Sequence, residues 1–475
     1  MLTRLEVDGF KNLRSLEIEF GPFTCIAGEN GAGKSNVFDA IEFVSLLASH
    51  SLMEAAQEVR STHDDRSGDP RDLFWRGKVD GGETMAFAAE MIVPREIEDD
   101  FGRTARASIT FVRYEIQIGY EPPTGLEKLG RLVLVRESLT PIRLGDAPKR
   151  LGFSHSAANF RKVTVTGRRA GGPFISTDER DGDRIITIHQ DGGSRGKPKP
   201  ASAARAPATV VSTITGADDP TILAARREMQ SWRRLALEPS ALRASDRYTD
   251  LRQMAINGRH LPATLFRVAA RPPSDGGEAE PSAVYARVAN RLGSLTGVGV
   301  RHVVVDTDDT RELLTLKLTE RNGIELPARS LSEGTLRFLA LAVLLEDPEA
   351  KGIICMEEPE NGIHPANLEA MVELLRDLAV DPSEPPGDDN PFRQVIVNTH
   401  SPALVQLLDP SELLFASADA VKDDDGTVAQ VLRLAPLGDT WRSERTTEPS
   451  VTKPDILPYL TSPPGSQLQL NSIPA

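Results

Sequence analysis

Hydrophobic residues alternate with charged ones over residues 5–20, a pattern that predicts two half-buried strands at the start of the chain. Residues 23–27 form a short, mostly apolar run, as in a strand buried on both faces. From residue 37 to residue 47 the apolar positions recur at three- and four-residue spacing, which predicts an amphipathic helix. The chain therefore opens with strands that lead into a buried strand and a helix.

The middle of the chain mixes strand patterns with polar segments. Strand patterns recur between residues 85 and 135, whereas residues 167–217 are rich in Gly, Arg, Pro, Ala and Ser. That composition predicts loops with a short strand pair. A helix is predicted next, with Asp219 as its cap, Pro220 at its first position and Pro239 at its end.

The second half alternates helical patterns with strand patterns. A helix is predicted at 283–295, followed by strands at 303–305 and 313–318. An apolar run at 352–356 and a strand pattern at 394–398 lie on either side of a further helical pattern. This order is typical of strands in a parallel α/β sheet.

Length and composition limit the class of protein. At 475 residues the chain is too long for one ordinary core, so we expect two or three lobes. It contains no run of about 18 apolar residues, and its N-terminus does not resemble a secretory signal. Cys25 and Cys355 lie in apolar strand-like runs, as small core residues of a reducing compartment do. We therefore expect a cytoplasmic protein without a membrane span.

Charge is distributed unevenly along the chain. The net charge is −14, yet residues 146–205 carry a net +6 and residues 221–267 a net +5. Basic stretches in an acidic protein can contact nucleic-acid phosphates, and a solvated surface or a loop accounts for them equally well. Both alternatives stay open at this point.

A glycine-rich segment at 28–35 joins the buried strand to the first helix and ends in Lys-Ser. Small residues let the backbone N–H groups of such a loop face a triphosphate, while the lysine reaches the β- and γ-phosphates and the serine hydroxyl ligates Mg²⁺. The helix N-terminus adds partial positive charge. A plain glycine turn is the alternative, but the strand, loop and helix together favour ATP and Mg²⁺. The predicted nucleotide-binding residues are Asn30, Gly31, Ala32, Gly33, Lys34 and Ser35, with Ser35 also a metal ligand.

Two adjacent acids, Glu357 and Glu358, follow the apolar run at 352–356. An open α/β sheet binds its ligands at the carboxyl ends of its strands. Glu357 is therefore predicted to hold Mg²⁺ through its water shell, and Glu358 to orient and deprotonate the attacking water. The alternative is a strand that ends in a solvated acidic loop.

Two further motifs lie in this half of the chain. His400 follows the run at 394–398, where it is predicted to hydrogen-bond the γ-phosphate, and a packed or capping histidine is the alternative. Ser330 and Glu333 fit a capping box ahead of an apolar helix. The hydroxyl and free N–H groups at the same helix N-terminus also suit an anion.

These motifs, in this order, resemble the ATP-binding-cassette (ABC) class of ATPases, in its RecF, SMC and OLD-like branch. The matching segments are the turn at 9–13, the phosphate loop, a signature at 331–335, the acidic pair and His400. The resemblance implies an α/β P-loop NTPase with an ABC-type head, in which a mixed-sheet lobe joins a RecA-like parallel sheet, and a central, mainly helical insertion lobe. It also implies a homodimer in which Mg-ATP on one protomer is completed by Ser332, Glu333 and Gly334 of the other.

Two positions depart from the usual pattern of the class. Glu357 stands where most members have Asp, and the glutamine loop is represented only by a candidate metal ligand, Gln117. The Glu-Glu-Pro-Glu form resembles OLD-like proteins and the ATPases of phage-defence systems, but the chain has no second carboxylate cluster of a nuclease type. We therefore expect an ATPase subunit that drives a separate effector, a nuclease or toxin, in anti-phage defence. A RecF-like, ATP-gated protein that binds DNA or RNA is the alternative.

The same patterns divide the chain into four predicted parts. Residues 1–165 form the ATPase lobe with the phosphate loop, and residues 166–300 form an insertion made of a basic loop and a helical lobe. Residues 301–438 form the ATPase lobe with the signature, the acidic pair and the switch histidine. Residues 439–475 are predicted to be a loose tail.

Overall fold

A computed structural model describes residues 1–59, 69–77, 83–124, 130–167, 172–180, 183–191, 199–202, 206–272, 278–296, 299–422, 426–446, 448–452 and 454–456. The strands are β1 (Leu2–Asp8), β2 (Leu16–Glu19), β3 (Phe23–Gly28), β4 (Thr84–Ile92), β5 (Glu96–Glu98), β6 (Thr104–Arg106), β7 (Phe111–Glu121), β8 (Arg131–Pro141), β9 (Ile175–Arg180), β10 (Asp183–Ile188), β11 (Lys199–Ser202), β12 (Arg233–Leu235), β13 (Asp246–Arg247), β14 (Val300–Asp308), β15 (Leu313–Glu320), β16 (Glu325–Pro327), β17 (Gly352–Glu357), β18 (Arg393–Thr399), β19 (Leu413–Lys422) and β20 (Val428–Pro436). The main α-helices are α1 (Lys34–Leu46), α2 (Leu52–Glu58), α3 (Ala147–Arg150), α4 (Lys162–Thr164), α5 (Val210–Thr213), α6 (Pro220–Gln230), α7 (Pro239–Leu242), α8 (Leu261–Ala269), α9 (Pro281–Thr296), α10 (Glu333–Leu345), α11 (Leu368–Leu378) and α12 (Pro402–Val405).

A six-stranded sheet in the order β12-β17-β18-β3-β19-β20 forms the central layer. Its first five strands run parallel, and β20 pairs antiparallel with β19. Side chains of successive residues on these strands point to opposite faces, so Ile26 and Ile396 enter one hydrophobic core while Cys25 and Val395 enter another. Burial on both faces explains the mostly apolar runs in the sequence, and the predicted α/β class is confirmed.

An antiparallel sheet and helix α1 cover one face of the central layer. The antiparallel sheet has eight strands in the order β11-β10-β9-β8-β7-β4-β1-β2. Three aromatic rings join its inner face to α1, because Phe10 lies 5.8 Å from Phe43 and 5.3 Å from Phe87 between ring centroids. Phe10 belongs to the turn at 9–13, so aromatic packing fixes this turn beside α1.

The opposite face of the central layer is covered by helices α8 to α11 and by a second antiparallel sheet. This sheet has the order β13-β15-β14, with β16 paired to β15. Leu316 of β15, Leu339 of α10 and Leu375 of α11 are fully buried in the same core. Helices α1 and α10 therefore pack on opposite faces of the central sheet.

The segment predicted as a mainly helical insertion differs from that expectation. Strands β9 to β11 continue the eight-stranded sheet, so the predicted boundary at residue 165 is not a break in this sheet. The helix predicted to reach Pro239 ends at Gln230, and the next residues form β12, which pairs parallel with β17. Ladder hydrogen bonds to β17 outweigh the helical spacing of Trp232 and Ala236, because residues 233–235 satisfy their backbone groups in the sheet.

The predicted loose tail also differs where the structure describes it. Arg442 is buried and donates hydrogen bonds to the Thr24 hydroxyl at 2.8 Å and to the Glu19 carbonyl at 2.9 Å. The indole of Trp441 donates to the carbonyl of Ser411 at 3.2 Å. The end of the predicted tail, residues 457–475, lies outside the described residues. Among the described helices, none is long and apolar enough to cross a membrane.

Candidate nucleotide site

Three neighbouring strands of the central sheet end at the same edge. In the register of the sheet, Glu357 of β17 lies opposite Asn398 of β18, and Thr399 lies opposite Ala27 of β3. The phosphate loop begins at the end of β3, the acidic pair begins at the end of β17, and His400 directly follows β18. Because the strands are parallel, the three segments predicted from the sequence meet at one edge.

Two glycines give the phosphate loop its shape. Gly31 and Gly33 have φ angles of 83° and 100°, in the left-handed region that residues with a Cβ rarely adopt. A Cβ on Gly33 would lie only 2.1 Å from Nδ2 of Asn12, whose amide donates to the Ala32 carbonyl at 3.2 Å. The turn at 9–13 therefore supports the loop from behind, a role that Asn12 alone does not reveal in the sequence.

The ammonium group of Lys34 lies within its own loop. Lys34 is buried, and its Nζ donates to the carbonyl oxygens of Gly28 and Glu29, both at 2.7 Å. Burial lowers the pKa of Lys34, while the nearby carboxylates of Glu358 and Glu360 oppose this shift. A buried cation that contacts a glycine-rich loop ahead of a helix N-terminus is suited to bind a polyphosphate.

The two residues predicted to be catalytic contact each other. Nδ1 of His400 lies 2.6 Å from Oε1 of Glu358, and Nδ2 of Asn361 donates to Oε2 of the same carboxylate at 2.6 Å. The backbone N–H of Glu358 bonds both the carbonyl oxygen of Asn398, at 3.0 Å, and its side-chain oxygen, at 3.2 Å. These bonds hold Glu358 at a φ of 46°, an uncommon value for a residue with a side chain. Both carboxylate oxygens are thus oriented by neighbouring side chains.

Arg234 of β12 holds the first acid of the pair. One guanidinium nitrogen donates to Oε1 of Glu357 at 2.8 Å, and another donates to Oδ1 of Asp39 at 3.2 Å. Asp39 is fully buried on α1 and also accepts from Lys11 at 2.7 Å. Sequence reasoning missed Arg234, because the Arg-Arg pair at 233–234 looked like the polar side of a longer helix.

Glu360 is a third acid at this edge, and it was also missed. Its side chain is buried, and Oε1 accepts a hydrogen bond from the Thr399 hydroxyl. Oε2 is buried without a hydrogen-bond partner in the described part of the chain. Burial raises the pKa of Glu360, and the nearby Glu358 raises it further. In the sequence Glu360 could belong to a solvated acidic loop, the alternative already given for the two acids before it.

The oxygen atoms at this edge fit a magnesium ion. Mg²⁺ prefers hard oxygen ligands and keeps part of its water shell. The Ser35 hydroxyl and the Glu357 carboxylate are the residues that would hold it, and the orphaned oxygen of Glu360 adds acceptor capacity nearby. The donor set therefore agrees with the predicted metal, although the carboxylate of Glu357 is shared with Arg234.

The signature residues begin helix α10. Ser332 is its N-cap and accepts from the backbone N–H of Thr335 at 3.2 Å, so the cap predicted at Ser330 is wrong by two residues. Glu333 does not close a capping box with Ser330 but pairs with Arg337 at 2.9 Å. A Cβ on Gly334 would lie 3.0 Å from the carbonyl of Gly362, in the loop that follows the acidic residues. Ser332 itself is exposed to solvent.

The position of Gln117 does not fit a metal ligand beside Ser35. Gln117 lies on β7, and its amide donates to the Thr84 hydroxyl at 2.9 Å. It shares the outer face of the eight-stranded sheet with Glu115, whereas Ile116 points to the core that contains α1. We therefore correct this prediction, since Ser35 begins the helix on the other face. The side chains of β7 alternate between the two faces of the sheet, and this alternation directs Gln117 away from α1.

Arginines of the basic segment at 221–267 form ion pairs within the chain. Arg227 pairs with Asp100 at 2.5 Å, and Arg267 pairs with Asp347 at 2.6 Å. These ion pairs, and those of Arg234, neutralise part of the net +5 charge of this segment within the chain. In the other basic segment, residues 168–171, 181–182, 192–198 and 203–205 lie outside the described ranges.

Comparisons with known proteins match the two halves of this site separately. The family model described as "RecF/RecN/SMC N terminal domain" matches residues 1–66, which include the phosphate loop. The model described as "AAA domain, putative AbiEii toxin, Type IV TA system" matches residues 227–406, from α6 to the end of α12. Arg234, the signature, the acidic residues and His400 all lie within the second match.

Two curated proteins and one solved structure are similar to this chain, each over a different share of its length. Structural maintenance of chromosomes protein 1 of Schizosaccharomyces pombe is 44% identical over 80 residues, 16% of this chain and 6% of that protein. The DNA replication and repair protein RecF of Phocaeicola vulgatus is 36% identical over 61 residues, 13% of this chain and 16% of that protein. The chain thus spans a small part of these relatives. A crystal structure of an SmcHead bound to the C-winged helix domain of ScpA covers 91% of this chain and 98% of its own, with 14% identity and a TM-score of 0.42.

Proposed function

Because the chain belongs to the ABC-type ATPases of the RecF/SMC branch, we propose that it binds and hydrolyses ATP with Mg²⁺. We further propose that nucleotide binding closes a dimer of two such chains and that hydrolysis opens it. The observation that carries the proposal is the contact between Glu358 and His400, at the sheet edge that also carries the phosphate loop.

Each residue at this edge has a distinct role in the proposed reaction. Lys34 and the N–H groups of the phosphate loop bind the phosphates, and Glu358 accepts the proton of the attacking water. His400 and Asn361 keep the Glu358 carboxylate oriented toward that water. Mg²⁺, held by Ser35 and Glu357, would neutralise charge on the phosphates.

The dimer is supported by where the signature residues lie. Ser332 is exposed at the N-terminus of α10, on the face of the central sheet opposite to α1 and Lys34. A helix N-terminus with an exposed hydroxyl is suited to bind phosphate oxygens. A second copy of the chain can present this N-terminus to the nucleotide, and each protomer would then complete the site of the other.

Substitution of Glu358 by Gln tests the proposed hydrolysis. The amide keeps the shape of the side chain but cannot take a proton, so we expect ATP binding to persist while turnover falls about 10²- to 10⁴-fold. Phosphate release and the affinity for a fluorescent ATP analogue are measured in parallel. Glu373→Gln, an exposed position on α11, is the matched control. Normal turnover of Glu358→Gln would refute the role of Glu358.

We propose that the switch acts through a separate effector protein in anti-phage defence. The family model over residues 227–406, described as a putative AbiEii toxin of a type IV toxin–antitoxin system, supports this context. An effector encoded beside the chain should bind it in an ATP-dependent manner. Co-purification of the neighbouring gene product with Glu358→Gln in ATP, but not with Lys34→Ala, is the expected result.

A second candidate function is ATP-gated binding of DNA. The similarity of the N-terminal segment to DNA repair proteins such as RecF favours it. Binding that uses phosphate contacts weakens steeply as salt increases. Titration of duplex and single-stranded DNA at several salt concentrations, with and without ATP, separates this function from effector binding. An affinity that does not change with salt would exclude contacts to the phosphate backbone.

A further inference from the structure

Arg234 connects three acidic side chains that belong to two different elements. It lies on β12, and its guanidinium contacts Glu357 at the end of β17 and both Asp39 and Glu42 on α1, at 2.8, 3.2 and 3.4 Å. The planar fork of an arginine can bond several carboxylates at once, which the ammonium of a lysine cannot do with the same geometry. The phosphate-loop helix and the acidic loop are thus joined by one side chain.

Only one of these three acids is predicted to act on the nucleotide. Asp39 is fully buried and has a second cationic partner in Lys11, at 2.7 Å. Glu357 is half-exposed at the edge of the sheet, beside the phosphate loop, and Arg234 occupies its Oε1. A divalent cation at this edge would be attracted by the same carboxylate, so two cations share one ligand.

We propose that Arg234 is a positioning residue of the nucleotide site, which orients the Glu357 carboxylate and competes for it with the divalent cation that accompanies ATP. This inference rests on the proposed Mg-ATP site. In the absence of nucleotide, the arginine fixes one oxygen of Glu357 and neutralises its charge. When the metal arrives, Asp39 and Glu42 retain the guanidinium, so that Glu357 can turn toward the ion without leaving Arg234 unpaired.

If Arg234 competes with the divalent cation for Glu357, removing the charge of Arg234 should change the Mg²⁺ requirement of nucleotide binding. In Arg234→Met, the negative potential at the sheet edge increases, so the concentration of free Mg²⁺ that half-saturates binding of a fluorescent ATP analogue should fall. We expect a decrease of roughly three- to tenfold, the scale of removing one charge about 6–12 Å from a divalent ion at the dielectric constant of water. Turnover should fall as well, because Glu357 is no longer oriented.

Three further variants show whether the effect acts through Glu357. Arg234→Lys retains the charge but not the fork, so its Mg²⁺ requirement should stay near that of the wild type while its turnover falls. Arg233→Met removes the neighbouring charge of the same strand and should leave the Mg²⁺ requirement unchanged. In the double variant Arg234→Met/Glu357→Gln, the Mg²⁺ requirement should equal that of Glu357→Gln alone, because the shared ligand is gone.

Two results would overturn the inference. One is an unchanged or higher Mg²⁺ requirement in Arg234→Met. The other is a Mg²⁺ requirement that Arg234→Met lowers by the same factor in the Glu357→Gln variant as in the wild type. Either outcome would leave Arg234 as a purely structural ion pair. A failure of the proposed function is different, since the wild type itself would then show no Mg²⁺-dependent binding of the ATP analogue. Because Lys11 still pairs with Asp39, the Met variant is expected to fold, and circular dichroism checks this.

Discussion

Glu358 and His400 are 42 residues apart in the chain, yet their side chains meet at 2.6 Å across the ends of two adjacent strands. A ring nitrogen that bonds the carboxylate fixes its direction, and the left-handed backbone of Glu358 presents that carboxylate beyond the sheet edge. We therefore expect the pair to act as a single functional unit, in which the histidine acts through the glutamate as well as through the phosphate.

Replacing His400 by Ala should lower kcat for ATP hydrolysis about 10²-fold, because the base loses its orienting partner. The KM for ATP should change little, since the phosphate loop is untouched. Steady-state kinetics of His400→Ala and of the control His302→Ala, an exposed histidine on β14, checks this expectation. If KM rose while kcat stayed constant, His400 would be a binding residue only.

Substitutions in the phosphate loop should weaken ATP binding in a definite order. Gly31→Ala imposes only the strain of a left-handed backbone, about 1–2 kcal/mol. Gly33→Ala adds a clash with the side chain of Asn12 and should weaken binding further. Gly145→Ala, at a position with open space, is the control and should bind like the wild type. Equal affinities of the Gly31 and Gly33 variants would contradict the role of Asn12.

Two kinds of signal made the site recognisable in the sequence. The phosphate loop and its flanking strand and helix lie within 25 residues, so local pattern was sufficient to find them. The acids at 357–358 and His400 were found because each lies at the end of a predicted strand, and parallel strands place such ends at one edge. What the sequence predicted well was therefore set by short-range pattern and by one topological rule.

The residues that were missed depend on pairing between distant segments. Strand β12 has three residues and becomes a strand only by pairing with β17, more than 100 positions later. Arg234 had no local signal of its contact with Glu357 for the same reason. The prediction that Gln117 is a metal ligand was wrong for a different reason. A correct strand prediction does not say which face of the sheet lies next to α1.

The stability of the N-terminal lobe should depend on pH through Glu137. Burial raises the pKa of this carboxyl to about 7, although it accepts hydrogen bonds from the backbone of Val210 and Val211 and from Tyr114. Between pH 4.5 and 7 the unfolded chain loses this proton while the folded chain keeps it, so stability falls as pH rises through this window and then levels off.

The matched variant for this test is Glu137→Gln, which cannot ionise. The free energy of unfolding of the wild type relative to the variant should decrease by roughly 3 kcal/mol between pH 4.5 and pH 7.5. Urea unfolding at several pH values, followed by circular dichroism, measures it. A difference that stays constant over this range would mean that Glu137 is already ionised in the folded protein at low pH.

Ser332, the exposed N-cap of α10, can be replaced by other residues that also cap a helix. Asp and Thr both cap helices, so Ser332→Asp and Ser332→Thr should keep α10 intact. Ser332→Asp also adds a negative charge where the phosphates of the second protomer would lie, and it should abolish dimerisation in ATP and turnover while ATP still binds. Ser332→Thr should form dimers, as measured by light scattering. If both variants formed dimers in ATP, Ser332 would not belong to the dimer interface.

In the proposed dimer each nucleotide is held by two chains, one giving Lys34 and the other Ser332. Mixing Lys34→Ala with Ser332→Asp, two variants that should each be inactive alone, tests this sharing of the site. A mixed dimer contains one complete site, formed by the phosphate loop of the Ser332→Asp chain and the intact Ser332 of the Lys34→Ala chain. If the two chains share each site, phosphate release should reappear on mixing and should peak near equal amounts of the two variants. No recovery at any ratio, with both chains folded, would contradict it.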